Sequence, residues 1–230
     1  MKLLAFETAT EACSVALYID GNISERFEIV PKQHTQLVLP WAEQLLAEAG
    51  IKKSQLDAIA VGIGPGAFTG VRLAVALVQG IALALDKPVL PVSTLAALAM
   101  QAADFKAGKI LAAIDARMGE IYAAKFRLNE QGLVDAIGDE MVIAPEVYVL
   151  ESGESIAGVG TGFTANDSIL QSNLKPQLLY CNAQALPHAA DIAKLALRDY
   201  ALGKMMAPDI LEPAYLRNKV ALTLKEQGKS

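Results

Sequence analysis

Histidine and cysteine are scarce: two of each stand in 230 residues, and aromatic residues make up only 6%. Cys13 and Cys181 lie far apart and outside any CxxC pattern, which excludes a disulfide framework or a zinc knuckle and leaves two buried thiols. His34 and His188 form neither HxxxH nor HExxH, so a histidine metal site is excluded, and GxSxG is absent. Basic charge is also thin, at 20 Lys and Arg against 25 Asp and Glu for a net charge of −5. No patch favours a polyanion, since Lys52 and Lys53 are the densest cluster and the tail from Arg217 to Ser230 is only sparsely basic. The N-terminal apolar run is too short for a signal peptide. The uncharged stretch from Leu73 to Leu85 spans about 20 Å as a helix, short of a bilayer core, so no membrane role and a cytoplasmic location are expected.

What is abundant is apolar side chain, at 53%, enough for a sizeable core in one domain or two lobes. KLLAFE (2–7), ACSVALYI (12–19) and NISERFEIV (22–30) read as three strands, with Asp20-Gly21 as a hairpin turn. A helix over 34–49 follows, with Pro40 as a kink or late start, then a strand over 57–63, a helix over Thr69–Leu85 capped by Thr69, a strand in KPVLPV and a helix over Thr94–Asp104. The second half repeats the order: strands at 109–115, 120–126 and 133–143, a helix at 145–151, a strand in ESIAGVG, a helix from 163, a strand at LLYC and a helix over 185–202. This predicts an α/β fold of two duplicated β-β-β-α-β-α-β-α lobes, 1–104 and 105–202, with 203–230 returning to the first. The order resembles the actin-like ATPase (ASKHA) superfamily.

In that layout Glu7 and Asp115 each end the first strand of a lobe, and the glycine turns at Gly62, Gly64, Gly66 and Gly158, Gly160, Gly162 each end the fourth. Two readings follow. The carboxylates could hold a metal-bound nucleotide, making the chain a stand-alone ATPase or small-molecule kinase. Or they accept backbone N–H groups of their own turns, the reading that ETATEAC and DARMGE favour. The turn VGIGPGAFTGVR has no P-loop lysine and fails the G-x-G-x-x-G spacing, as does GVGTGF. Arg72 stands at the head of the following helix, where the dipole disfavours a cation, so a partner is expected for it: an ion pair within the chain, a carboxylate on another protein or a phosphate. Ser93-Thr94 reads as a helix cap. LAVALVQGIALAL (73–85) is apolar around nearly its whole circumference, so its second face is covered either within the fold or by a partner.

Taken together, LAFETATEACSVAL, GPGAFTGVR, IALALDKPVLPVSTL, AAIDARMGEIYAA and EPAYLRN resemble the TsaB family of bacterial proteins, also called YeaZ. The resemblance implies a noncatalytic scaffold in forming threonylcarbamoyladenosine at tRNA position 37. It would dimerise with the catalytic paralogue TsaD, be joined by the ATPase TsaE, form homodimers in their absence and meet tRNA only through the complex. The paralogue's HxxxH metal ligands fall here on Thr94 and Leu98, so no metal or other cofactor is expected, and no glycoprotease-like nucleophile is visible. The family's usual aspartate is Glu7 in this chain. Vestigial nucleotide candidates are Glu7, Asp115, Gly64 and Gly66; the interface expected on the first-lobe helices comprises Leu37, Val38, Trp41, Leu45, Arg72, Val75, Val78 and Leu85.

Overall fold

A computed structural model describes residues 1–105 and 108–217; the final 13 positions of the tail, 218–230, with Lys219, Lys225 and Lys229, lie outside the described residues. Three antiparallel strands open the chain, β1 (Lys2–Glu7), β2 (Ala12–Ile19) and β3 (Asn22–Ile29). Asp20 and Gly21 turn the β2–β3 hairpin with φ of 46° and 104°, the left-handed pair that a two-residue turn requires. After α1 (His34–Glu48), the strands β4 (Ala58–Gly62) and β5 (Val89–Val92) join parallel to β1, separated by α2 (Phe68–Leu85) and followed by α3 (Thr94–Ala99). The sheet order is β3-β2-β1-β4-β5.

The second half repeats it. Strands β6 (Lys109–Arg117), β7 (Glu120–Leu128), β8 (Val134–Ile143), β9 (Ile156–Val159) and β10 (Leu178–Asn182) are ordered β8-β7-β6-β9-β10, with α4 (Ala165–Leu174) and α5 (Ala189–Ala201) completing the repeat. One expected element is missing, because 145–151 forms no helix. Tyr148 is buried there and Leu150 half-buried against Phe163 and Leu174, whereas Val147 and Val149 face out, so an irregular loop covers what α1 covers in the first repeat. Pro40 does not break α1 either; the helix runs through it from His34.

The last helix of each repeat lies between the sheets, and they are exchanged: α3 rests on β6, β7 and β8, and α5 on β1, β2, β4 and β5. The resulting core joins Leu90, Leu95 and Leu98 to Ile110, Ile192 and Leu195. Polar ties fix α5 to the first sheet: the Ala189 N–H donates to Ser14 Oγ (2.9 Å) and the Ala190 N–H to Glu25 Oε1 (3.0 Å). His188 lies 3.0 Å from Glu25 through Nδ1 and stacks on Phe27 with 4.0 Å between ring centroids. On the outer face, α1 and α2 cover β1, β2 and β4 over Leu4, Phe6, Val15 and Ile59. The chain then returns to this lobe: Met206 bridges Val89, Gln79 Nε2 donates to the carbonyls of Pro208 and Leu211, and the Ala214 N–H donates to Ile63 O at 2.8 Å.

Candidate functional site

The turns at the strand ends meet around a cleft of about 900 Å³, lined by the glycine turn, the β1–β2 turn, Asp115 to Met118 and the returning segment from Ala214 to Arg217. Glu7 does not line it. Its carboxyl is fully buried, with Oε1 accepting from the Ala9 N–H (2.6 Å) and Oε2 from the Thr94 hydroxyl (2.9 Å). Burial pushes this carboxyl up to about 7 against the pull of those hydrogen bonds. The same burial, with Glu7 as a charged neighbour, pushes the Cys13 thiol up to about 12, which makes it an inert core residue. Asp115 does line the cleft, yet it is occupied: Oδ1 accepts from the Arg117 N–H (2.8 Å) and Oδ2 pairs with the Arg117 guanidinium (2.7 Å). Both strand-end acids thus accept the N–H two residues ahead, the Asx-like turn that the sequence favours. Two such carboxylates do not fit a metal-bound nucleotide.

The glycines serve close approach within the chain. A Cβ on Gly62 would fall 1.9 Å from Glu7 Oε2, one on Gly66 2.4 Å from Ala9 O, and one on Gly70 2.0 Å from Thr8 O. The Ala67 N–H donates to Ala9 O (2.7 Å) and the Thr8 hydroxyl to Gly70 O (2.7 Å), so the turn is buttoned onto the end of β1. Gly64, at φ 97°, exchanges two hydrogen bonds with Thr94: its N–H donates to Oγ1 (3.1 Å) and its carbonyl accepts the Thr94 N–H (2.8 Å). In the second repeat Gly160 and Gly162 close in the same way on Ala113. Leu98, fully buried, reaches Gly160, where an added Cβ would meet its Cδ2 at 2.5 Å. The two positions that resemblance assigns to the paralogue's histidines are therefore a hydroxyl committed to Glu7 and an alkyl group packed against Gly160.

Arg72 has a partner that the sequence did not disclose. Its Nε donates to the Tyr215 hydroxyl (2.7 Å), and its guanidinium lies 3.5 Å from the Phe68 centroid and 5.5 Å from that of Tyr215. Among the described residues no carboxylate pairs with it, so the expected ion pair within the chain is replaced by a tyrosine 143 residues away. Arg217 carries the returning segment across to the second repeat, pairing with Glu120 (2.5 Å) and donating to Arg117 O (3.4 Å). Thr69 is not the cap of α2: Ala67 occupies that position and offers no side-chain acceptor. Ser93 does cap α3, accepting the Ala96 N–H at 3.0 Å.

The residues expected at a partner interface divide in two. Val38, Leu45, Val75 and Val78 are buried beneath α1 and α2, at 1%, 1%, 4% and 0% exposure, so they hold the helices to the sheet and face away from any partner. Arg72 is exposed, and Leu37, Trp41 and Leu85 are half-buried. The open side of α2 carries Leu73, Ala76, Leu77, Gly80, Leu83 and Ala84, with Leu83 60% exposed. One face of this helix is therefore core and the other is apolar and bare. The cluster of Ser14, Glu25 and His188 is not a hydrolase triad, because buried Ser14 donates its hydroxyl to Glu25 (2.7 Å) and not to His188.

The family model for TsaD, tRNA N6-adenosine threonylcarbamoyltransferase, matches residues 27–223. The tRNA threonylcarbamoyladenosine biosynthesis protein TsaB of Escherichia coli K12 is 42% identical over 228 residues, 96% of each chain. The solved structure of YeaZ from Pseudomonas aeruginosa superposes with a TM-score of 0.84 at 41% identity, covering 94% of this chain and 99% of that one. An uncharacterised protein with similarity to peptidase YEAZ, also from Pseudomonas aeruginosa, gives 0.86 at 42% with the same coverage. These matches and the two like-ordered sheets make the fold the actin-like ASKHA α/β fold, and the chain belongs to the TsaB family, also called YeaZ.

Proposed function

We propose that this chain is a noncatalytic partner subunit in forming threonylcarbamoyladenosine on tRNA, acting in the cytoplasm. It pairs through α1 and α2 with a TsaD-like catalytic paralogue, a TsaE-like ATPase joins that pair, and tRNA is met only through the complex. In their absence the chain pairs with itself. The observation that carries this reading is the state of the two strand-end carboxylates, one buried under Thr94 and the other held by Arg117. The bare side of α2, with Arg72 and Leu85 on the same helix, supplies the surface together with half-buried Leu37 and Trp41 of α1. We also propose 1–104 and 105–202 as the two lobes, with the return of 203–217 as part of the first.

Reconstitution tests it. The purified paralogue and ATPase should be inactive on tRNA without this chain and active once it is added; full activity in its absence ends the proposal. The size of the cleft favours a second reading, a stand-alone ATPase or small-molecule kinase. Titration calorimetry of the chain with Mg-ATP separates the two. No heat and no turnover are expected, and binding accompanied by phosphate release would favour the enzyme.

A further inference from the structure

Residues 214–217 line the cleft and are tied to both of its walls. On the first-lobe side the Ala214 N–H donates to Ile63 O (2.8 Å) and the Tyr215 hydroxyl accepts from Arg72 Nε (2.7 Å). On the second-lobe side Arg217, its side chain 17% exposed, pairs with Glu120 (2.5 Å) and donates to Arg117 O (3.4 Å). The turn that Arg217 grips is strained. Arg117, Met118 and Gly119 are consecutive left-handed residues, with φ of 63°, 57° and 80°, and the first two carry side chains that disfavour this region. Such a turn persists only while its surroundings hold it, and here part of the hold is a segment whose other end is fastened to Arg72. Asp115, Arg117 and Met118 line the cleft, so its shape depends on that grip.

The Arg72 end is the weaker fastening. Arg72 is exposed, gives its Nε–H to a neutral hydroxyl, and among the described residues has no carboxylate. Phe68 covers one face of the guanidinium, 3.5 Å from the ring centroid, which leaves the donor edge as the open approach. A carboxylate reaching that edge takes Nε and Nη together in two charge-assisted bonds, whereas Tyr215 offers one uncharged oxygen. We propose that 214–217 is a strap coupling the head of α2 to the cleft: a carboxylate on a partner protein that takes Arg72 from Tyr215 slackens the strap, the turn at 115–120 relaxes and the cleft opens. The trigger rests on the reading above that a partner docks on α2; the coupling belongs to this chain alone.

Amide hydrogen exchange on the full chain tests it. Tyr215→Phe keeps the ring and removes the accepting hydroxyl, so amides at 115–120, on the opposite wall, should exchange roughly threefold to tenfold faster, together with Ala214. Glu120→Gln loosens the other end and should speed exchange at Ala214 and at the head of α2 by a similar factor. Arg26→Gln, which breaks the Arg26–Glu48 pair away from the strap, should leave both regions unchanged. Effects confined to the neighbourhood of each substitution would overturn the coupling. A second measurement adds the TsaD-like paralogue to the wild type, with binding followed by sedimentation. Once bound, it should speed exchange at 115–120 as Tyr215→Phe does, and a bound paralogue that leaves this turn fully protected would overturn the proposal. A paralogue that does not bind would end the pairing reading and the carboxylate trigger with it, and the two variants would still decide the coupling.

Discussion

Val78→Asp is expected to damage the first lobe itself, whereas Ala76→Asp, two residues earlier on the same helix, should leave the fold intact and abolish pairing. Val78 is fully buried among Phe6, Ile59 and Val61, where a carboxylate finds neither water nor a partner. An uncompensated buried charge costs about 3–5 kcal/mol, a large part of the stability of a chain this size. The melting midpoint should fall by about 10 °C or more. Ala76 is exposed on the apolar side of α2, so its substitution should move the midpoint by no more than about 2 °C. Differential scanning calorimetry with sedimentation on both variants checks the pair. A Val78→Asp protein that melts like the wild type yet fails to associate would place Val78 in the contact and reverse the assignment of the two faces.

That division of α2 marks where the sequence stops being legible. Its composition shows an unusually apolar helix, but a helix apolar all round carries no stripe to say which side meets the sheet, and Val75 and Leu73 look alike on the page. Only the sheet behind it, through β1 and β4, sorts them. The strands were readable because breakers bound them and because Asp20-Gly21 specifies its turn. The helix expected at 145–151 was not, since two inward and two exposed apolar residues alternate there with strand-like spacing in a loop that has no ladder to join. At the site, local chemistry was readable and distant chemistry was not. The acid-to-(i+2) bonds of Glu7 and Asp115 follow from ETA and DAR. The Tyr215 hydroxyl on Arg72, the Thr94 hydroxyl on Glu7 and the Arg217 link to Glu120 all join residues about 90 or more positions apart, and no spacing rule reaches that far.

The distant hydroxyl turns Glu7 into the residue with the strongest expected pH signature. A carboxylate in this position can only accept, and its two neighbours, the Ala9 N–H and the Thr94 O–H, both donate, so the geometry suits the charged form. Burial opposes it and dominates, raising the folded-state value to about 7 from 4.5. Between those values the folded chain holds a proton that the unfolded chain has released. Stability contributed by this group is therefore fully present below about 4.5, declines as pH rises through 7 and is flat beyond, a total of about 3 kcal/mol by linkage. Glu7→Gln removes the ionisation while keeping an acceptor for the Ala9 N–H. Relative to the wild type it should gain stability with pH, by about 3 kcal/mol between pH 4.5 and pH 8, as read from urea denaturation of both proteins across that window. A difference between the two proteins that stays constant over the range would show that Glu7 is ionised throughout. In that case the carboxylate at the end of β1 would be a buried standing charge held by the Ala9 N–H and the Thr94 hydroxyl, still outside the lining of the cleft.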